Sequence, residues 1–181
     1  MSISSVAYNE VNAASLVSLL LHFGVAHMCF SPGSRSTPLI LAFSAASEEG
    51  VILSDSGDKR FCQLTSHIDE RAMAFHALGI AKATMQPVAI VVTSGTAVAN
   101  LFPAIIEASY SGIPLVILTA DRPLSLVGTG ANQTIDQRGI FGDYVRAFLD
   151  LPCPESETAY LKDLSSIEET LYALCRKHPG P

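Results

Sequence analysis

Four short segments of small and polar residues stand where strand-like runs of this sequence end. They are SPGSRSTP (31–38), HIDER (67–71), TSGT (93–96) and TADRP (119–123), the last followed by GTGANQ (128–133). In an open parallel sheet, ligands bind beyond the carboxyl ends of the strands. The four segments are therefore the candidate binding loops.

The first of these loops could bind an anion. Gly33 follows a strand-like run, Ser36 or Thr37 can cap the next helix, and Arg35 lies between them. Backbone N–H groups at a helix start favour an anion, and a guanidinium suits a carboxylate. On spacing alone, a plain turn with a solvated arginine explains the same residues. No GxxxxGK[ST] is present, which excludes a Walker-type phosphate loop.

The second loop places Asp69 and Glu70 at a helix start. Acidic residues there can simply complement the helix dipole. The helix that follows, AMAFHALGIAKA (72–83), is apolar on almost every side, which is typical of a helix buried all round. We therefore expect Glu70 at the mouth of a buried element, where a partly desolvated carboxylate can share a proton with a ligand.

Several other chemistries lack their residue patterns. His67 and His76 are nine positions apart, which matches no common spacing of metal ligands, and we expect all five histidines to be structural. No GxSxG is present, so nucleophilic hydrolysis has no support. The four cysteines form no CxxC pair, and Cys29 lies in an apolar run that is typical of a reduced core residue.

Composition limits the class of protein. The 181 residues are 49% apolar and 15% charged, which excludes disorder as the main state. Because an average soluble domain is about 25% charged, we expect another chain or domain to cover part of the surface. The net charge of −6 without a basic run makes nucleic acid an unexpected partner. The longest apolar run, 113–118, is too short to span a membrane, and the N-terminus is not a secretory signal, so we expect a cytoplasmic protein.

Helical and strand-like segments alternate along the chain. Helices are predicted at 9–23, 38–46, 69–84, 97–109 and 158–177, and strands at 25–30, 51–54, 61–66, 88–93, 115–119 and 145–149, with a polar loop at 54–60. Apolar strands separated by helices predict a three-layer α/β/α fold with a mostly parallel sheet. A strand usually follows a helix in such a fold, so the terminal HPGP suggests a sequence cut from a longer chain.

Five segments together resemble the MenD family, the 2-succinyl-5-enolpyruvyl-6-hydroxy-3-cyclohexene-1-carboxylate synthases of menaquinone biosynthesis, which use thiamine diphosphate. They are SPGSRSTPL (31–39), HIDERAMAFHALGIAKA (67–83), PVAIVVTSGTAVANLFPAIIEA (87–108), LTADRP (118–123) and GANQTIDQ (130–137). The resemblance covers about residues 9–152. The first motif and the last two are specific to that family, whereas SGT…N and the helix that begins with Glu70 recur among other thiamine diphosphate enzymes.

The resemblance implies that residues 1–181 are one N-terminal pyrimidine-binding (PYR) domain of a longer chain. The family's pyrophosphate (PP) domain, with its GDG…N metal motif, is not in the sequence. It would hold Mg²⁺ and the diphosphate of thiamine diphosphate, so the fragment alone is expected to be inactive. The family also implies a homo-oligomer, a dimer or a dimer of dimers, with sites between chains.

The resemblance also implies roles for individual residues. Glu70 matches the catalytic glutamate that hydrogen-bonds N1′ of the cofactor's aminopyrimidine, and Pro32 and Thr96 match the cofactor pocket. The residues that match the substrate side are Ser34, Arg35, Arg122, Asn132 and Gln133. The implied enzyme is a transferase that decarboxylates 2-oxoglutarate and adds the succinyl semialdehyde carbanion to isochorismate.

Two other functions stay open at this point. One is a PYR domain of another thiamine diphosphate decarboxylase or ligase, similar to acetolactate synthase. Arg35 and Arg122 argue against it, because a small pyruvate-like acceptor needs fewer cations. The other is a binding module without catalysis.

Overall fold

A computed structural model describes residues 5–52, 59–151 and 157–176 of the chain. Its helices are α1 (Ser5–His22), α2 (Thr37–Glu48), α3 (Glu70–Thr84), α4 (Thr96–Ala99), α5 (Phe102–Ser111) and α6 (Glu157–Arg176). Its strands are β1 (His27–Phe30), β2 (Val51–Ile52), β3 (Lys59–Arg60), β4 (Gln63–Ser66), β5 (Val88–Val92) and β6 (Leu115–Thr119).

Four parallel strands form the main sheet in the order β4-β1-β5-β6. His27 of β1 lies opposite Gln63 of β4 on one side and Val88 of β5 on the other. Beyond β1 the chain first adds β4 at one edge and then crosses to β5 on the opposite side of β1. The mostly parallel sheet expected from the apolar strands is thereby confirmed.

Strand β5 forms the middle of the core and is buried on both faces, as the valine-rich run predicted. Val88, Ile90 and Val92 pack with residues of α3, α4 and α5. Ala89 and Val91 face the opposite side, where they pack with residues of α1 and α2. Because alternate residues of one strand contact two helical layers, the fold has the three α/β/α layers that the sequence predicted.

The short segments on either side of residues 53–58 depart from prediction. The strand expected at 51–54 is only Val51–Ile52 within the described residues, and it pairs antiparallel with Lys59–Arg60 outside the main sheet. Residues 59 and 60 were expected in the polar loop 54–60, whose other residues lie outside the described ranges. The strand expected at 61–66 begins at Gln63, which is the first residue that pairs with β1. Phe61 lies before the strand and is exposed.

The strand predicted at 145–149 is wrong. A single 3₁₀ turn, Gly142–Tyr144, is followed there by irregular chain in which Phe148 and Leu149 are exposed. Arg138 and Asp150 form an ion pair that holds this segment against the preceding turn. Four apolar residues in five made a strand plausible, but a strand also needs a neighbour, and the described part of this segment pairs with none.

The helix predicted at 97–109 is two helices in the structure. α4 ends at Ala99 and α5 begins at Phe102, with Pro103 in its first turn. Proline has no N–H to donate to the carbonyl of Ala99, and its ring clashes with that carbonyl in a continuous helix. The break places the side chain of Asn100 beside the start of α3.

α3 is buried on one face rather than all round within this chain. Met73, Ala74, Ala77 and Ala81 are fully buried, whereas Phe75 is 44% exposed. The expectation of burial on every side is therefore wrong for the described chain by itself. None of the described helices combines the length and apolar composition that crossing a membrane requires.

Candidate functional site

The candidate site lies at the carboxyl ends of β1 and β5, which are neighbours in the sheet. From β1 the chain continues into α2 on one face, and from β5 into α4 on the other face. Where the connections of adjacent parallel strands leave to opposite faces, a crevice opens that commonly binds ligands. The loops 31–38 and 93–96 form the two sides of this crevice.

The loop after β1 is held against both neighbouring strands. The Ser31 backbone N–H donates to the Val91 carbonyl at 3.1 Å, and the Ser31 hydroxyl donates to the His67 carbonyl at 3.0 Å. Gly33 lies against Thr93 so closely that a Cβ at position 33 would be 2.4 Å from the Thr93 Cβ. Glycine is therefore required at position 33 by lack of space.

The start of α2 differs in detail from the prediction. Ser36 is at the N-cap position, but its hydroxyl donates to the Gly33 carbonyl at 3.0 Å and makes no cap bond to the helix. Pro38 lies in the first turn, as predicted. The Ser36 hydroxyl thus stabilises the turn that presents Arg35.

Arg35 is half-buried, and its side chain is hydrogen-bonded to another residue of the site. Its Nη1 donates to Oε1 of Gln133 at 2.9 Å, across 98 positions of sequence. This contact does not agree with the alternative interpretation, a plain turn with a solvated arginine. Two residues that the sequence assigned to the substrate side, Arg35 and Gln133, are therefore in direct contact.

Glu70 is the first residue of α3 and is half-buried. Asp69 caps the helix by accepting a hydrogen bond from the Ala72 N–H at 2.7 Å, so Glu70 is not needed for capping. Oε2 of Glu70 instead accepts from Nδ2 of Asn100 at 3.1 Å. The amide fixes one oxygen of the carboxylate and leaves the other available to a ligand.

The segment that carries Gln133 packs on the loop after β5. The buried Ser94 hydroxyl donates to the Gln133 carbonyl at 2.8 Å. Gly95 has φ +85°, and a Cβ there would be 3.0 Å from the Gln133 carbonyl oxygen, so position 95 also requires glycine. Gln133 itself has φ +55°, a left-handed conformation that non-glycine residues adopt rarely.

Two other predicted residues, Pro32 and Ser34, lie in a shallow groove beside the crevice. The groove is lined mainly by apolar atoms and includes Phe30, Ile40 and Leu41. Thr96 is exposed in the first turn of α4. The three predicted residues are thus at the same edge of the sheet as Arg35, and their roles stay predictions.

Arg122 and Asn132 lie in the loop after β6. The Arg122 backbone N–H donates to Oδ1 of Asp121 at 2.6 Å, and the side chain of Arg122 is half-buried. Asn132 is exposed, and its carbonyl accepts from the Thr134 hydroxyl at 3.2 Å. In the described ranges no hydrogen bond joins either side chain to Arg35 or Glu70, so their substrate role stays a prediction.

Two residues of the site were given no role by the sequence analysis: Asn100 and Gln137. Asn100 is the one polar side chain between Ala97 and Ile106, which is a usable signal. Gln137 is buried in a polar segment and contacts Gly95 in the loop after β5 and Ala120 in the loop after β6. Gln137 is 42 positions from Gly95 and 17 from Ala120, so no local sequence pattern predicts these contacts.

Among residues 5–52, 59–151 and 157–176, no three histidine, cysteine, aspartate or glutamate side chains lie close enough to hold a metal ion. The rings of His67 and His76 pack edge to face with centroids 4.7 Å apart. This edge of the sheet offers a ligand a carboxylate and an amide at Glu70 and Asn100, and a guanidinium and an amide at Arg35 and Gln133.

Comparison with known proteins assigns the chain to a family. Residues 12–140 match the family model described as thiamine pyrophosphate enzyme, N-terminal TPP binding domain. Thiamine pyrophosphate is another name for thiamine diphosphate. The matched range includes all the loops of the crevice.

Curated relatives named 2-succinyl-5-enolpyruvyl-6-hydroxy-3-cyclohexene-1-carboxylate synthase are similar to most of this chain. The relative from Vibrio parahaemolyticus is 45% identical over 172 residues, which cover 95% of this chain and 28% of the relative. The relative from Actinobacillus pleuropneumoniae serotype 5b is 53% identical over 147 residues, which cover 81% of this chain and 24% of the relative. The relative from Shewanella amazonensis is 47% identical over 173 residues, which cover 96% of this chain and 28% of the relative.

This chain thus spans little more than a quarter of the length of such relatives. The similarity to the synthases confirms the resemblance that the motifs indicated, and the α/β/α architecture agrees with the matched domain. On the family match over residues 12–140, the chain belongs to the thiamine pyrophosphate enzymes, through their N-terminal TPP binding domain.

Proposed function

We propose that this chain is the pyrimidine-binding part of a thiamine diphosphate-dependent transferase that joins two carboxylate substrates. The complete enzyme would decarboxylate 2-oxoglutarate and add the succinyl semialdehyde unit to isochorismate, a step of menaquinone biosynthesis. The name of the relatives, a synthase of a succinyl-bearing carboxylate, supports this reaction class. The observation that carries the proposal is the half-buried carboxylate of Glu70, oriented by Asn100 at the edge of the sheet that also presents Arg35.

The residues of the crevice fit the aminopyrimidine end of the cofactor. An aminopyrimidine has ring nitrogens and an amino group, so it needs a carboxyl group with a free oxygen and a proton to share. Asn100 occupies Oε2 of Glu70, and Asp69 caps α3, which leaves Oε1 for the ring. Since the described residues hold no group of metal ligands, we assign Mg²⁺ and the diphosphate to the remaining domains.

Glu70 would hold a proton between its carboxyl oxygen and N1′ of the aminopyrimidine. Bound thiamine diphosphate supplies the electron sink for decarboxylation. The donor from Asn100 restricts rotation of the Glu70 carboxylate, which would hold its other oxygen in one orientation for the aminopyrimidine. Pro32 and Thr96 would line the cofactor pocket.

Arg35 and Arg122 would bind substrate carboxylates, which match the planar fork of a guanidinium. The Gln133 side chain accepts one N–H of Arg35 and so holds the guanidinium in one orientation, with its other donors available. Ser34 and Asn132 would add neutral hydrogen bonds to the same substrates. Both 2-oxoglutarate and isochorismate are dicarboxylates, which suits two arginines.

We infer that the complete site forms between chains of a homo-oligomer, a dimer or a dimer of dimers, in the cytoplasm. The exposed Phe75 on α3, the helix that begins at Glu70, supports a covering partner. By itself the 181-residue chain would then bind thiamine diphosphate weakly and have no turnover. The alternative similar to acetolactate synthase is not favoured, because its small pyruvate-like acceptor carries one carboxylate and needs fewer cations than Arg35 and Arg122 would supply.

Release of labelled carbon dioxide from 2-oxoglutarate labelled at C1 tests the proposal in the complete enzyme. We expect release that requires thiamine diphosphate, and product formation that also requires isochorismate. Pyruvate labelled at C1 is the matched substrate control and should react far more slowly. Preference for pyruvate would favour the acetolactate-like alternative, and no reaction with either acid would favour a binding module.

A further inference from the structure

Gln137 is a buried amide between the loop after β5 and the loop after β6. Its residue exposure is 7%. Oε1 accepts from the Gly95 backbone N–H at 3.2 Å, and Nε2 donates to the Ala120 carbonyl at 2.9 Å. Both ends of the amide are therefore used, as a buried polar side chain requires.

The two backbone groups have no partner in the regular elements. Gly95 precedes the first turn of α4, where N–H groups lack carbonyl partners within the helix. Ala120 follows β6; its N–H donates to the Val92 carbonyl at 3.0 Å, which leaves the carbonyl to be satisfied from elsewhere. An amide is the side chain that offers an acceptor and a donor side by side, so glutamine bridges the ends of β5 and β6.

The bridge also fixes the segment that carries Gln133. Four residues before Gln137, the Gln133 carbonyl accepts from the Ser94 hydroxyl at 2.8 Å. The segment is thus attached to consecutive residues of one loop, Ser94 and Gly95, at two points. Oε1 of Gln133 then reaches Arg35 at 2.9 Å from the other side of the crevice.

We propose that Gln137 is a positioning residue that sets where Gln133 holds the Arg35 guanidinium relative to the loop after β5. The substrate assigned to Arg35 rests on the proposed function, whereas the chain of contacts from Gln137 to Arg35 does not. Loss of the amide frees the segment from Gly95 and Ala120. The Ser94 bond alone then leaves Gln133 free to turn away from Arg35.

Nuclear magnetic resonance of the 181-residue chain tests both halves of this proposal. One readout is the hydrogen-exchange rate of the Gly95 amide; the other is the nuclear Overhauser contact between the side chains of Arg35 and Gln133. Gln137→Met keeps a similar side-chain volume without the amide. The matched control is Gln63→Met, since Gln63 is exposed on the edge strand β4.

In Gln137→Met we expect exchange at Gly95 at least about tenfold faster, because a buried hydrogen bond is lost. We also expect loss of the Arg35–Gln133 contact, while Gln63→Met changes neither. If Gln137→Met does not fold, Gln137→Asn replaces it, because asparagine keeps the amide but is too short to bridge both loops. In that variant one of the two bonds is lost and the Arg35–Gln133 contact weakens.

An unchanged Arg35–Gln133 contact in the folded variants would overturn the proposal, even with faster exchange at Gly95, because Gln137 would then only stabilise the loop. In the complete enzyme, the same variants should raise KM for one carboxylate substrate more than they lower kcat. Equal changes of kcat and KM would contradict positioning of a substrate-binding arginine. Failure of the labelled-carbon assay in the unmodified enzyme would overturn the proposed function but leave both resonance readouts intact.

Discussion

Substitution of Arg35 tests substrate binding at a single side chain. Its guanidinium is half-buried, contacts Gln133 and still has donors for a carboxylate. In the complete enzyme, Arg35→Ala should raise KM about 10- to 150-fold for one of the two substrates, the range for a charged hydrogen-bonded contact. Steady-state kinetics with each substrate varied in turn measures this difference.

The matched control for that variant is Arg60→Ala, since Arg60 is exposed on the ribbon outside the main sheet. It should leave both KM values unchanged. Small and equal changes of both KM values in Arg35→Ala would return Arg35 to the solvated-turn interpretation.

At this scale the sequence identified residues by type and by local context. Arg35 and Glu70 were predictable because each is a charged residue within a short motif at the end of a strand or the start of a helix. Asn100 and Gln137 were not, because their roles depend on contacts across 30 and 42 positions. Local patterns give no information about which distant backbone or carboxylate such an amide will meet.

Among the elements, the approach of loop 31–38 to β5 fixes the geometry of the crevice. A methyl group at Gly33 would overlap Thr93 at 2.4 Å, so Gly33→Ala should lower the free energy of unfolding by about 1–3 kcal/mol, the range for overpacking. The matched control is Gly79→Ala, because Gly79 lies in α3 with nothing within 4 Å of an added Cβ. Alanine in a helix should there raise stability by about 0.5–1 kcal/mol.

Urea unfolding of the two alanine variants and the parent chain measures both changes. Equal stability of Gly33→Ala and the parent would mean that Thr93 can move away without loss, and that the loop does not fix the crevice.

Two thiols are buried, Cys29 in strand β1 and Cys62 just before strand β4, and their titration follows from packing. Burial raises the pKa of Cys29 to about 11, partly offset by a hydrogen bond with Thr65. Burial, and secondarily the charge of Cys29, raises the pKa of Cys62 to about 12. The folded chain therefore keeps both protons at pH values where the unfolded chain, with thiol pKa values of about 8.5, has lost them.

The sign of the pH dependence follows from those protons. Below about pH 8.5 the thiols contribute no pH dependence, and as the pH rises toward 11 the free energy of unfolding should fall. The double variant Cys29→Ala, Cys62→Ala should give a shallower fall over this range in urea unfolding, whatever its absolute stability. Identical slopes for variant and parent would show that the thiols are not buried as described.

At the element scale the sequence predicted most of the fold. Strands β5 and β6 and helix α3 lie within one residue of their predicted ends, because apolar runs and a capping aspartate define them locally. The strand expected at 145–149 failed because pairing is a property of two segments, and the helix expected at 97–109 is interrupted by Pro103. The apolar residues of 97–109 correctly predicted helix, but they did not predict that Pro103 would divide it in two.

For the whole molecule, the apolar surface of α3 and α5 predicts association. Phe75 is 44% exposed and Tyr110 79% exposed, whereas large exposed apolar patches are uncommon on monomers. We expect the 181-residue chain to form a two-fold dimer, with Glu70 close to the interface, at micromolar concentration in sedimentation equilibrium. Phe75→Glu should shift it to monomer.

The matched control for association is Ile52→Glu, because Ile52 is 69% exposed on the ribbon outside the main sheet. It should leave the dimer intact. A parent chain that stays monomeric over the whole concentration range would exclude this use of the apolar surface.

The proposed function as a whole depends on one carboxylate. Glu70→Gln keeps the size of the side chain and the contact with Asn100 but cannot share a proton with N1′ of the cofactor. In the complete enzyme, kcat of this variant is the most direct measurement, with Glu48→Gln, at an exposed position on α2, as the control. We predict that Glu70→Gln lowers kcat at least about 10²-fold, the scale of general acid–base groups, while Glu48→Gln does not. Near-normal kcat in a folded Glu70→Gln enzyme would contradict the account and leave Glu70 as an ordinary residue of a helix start.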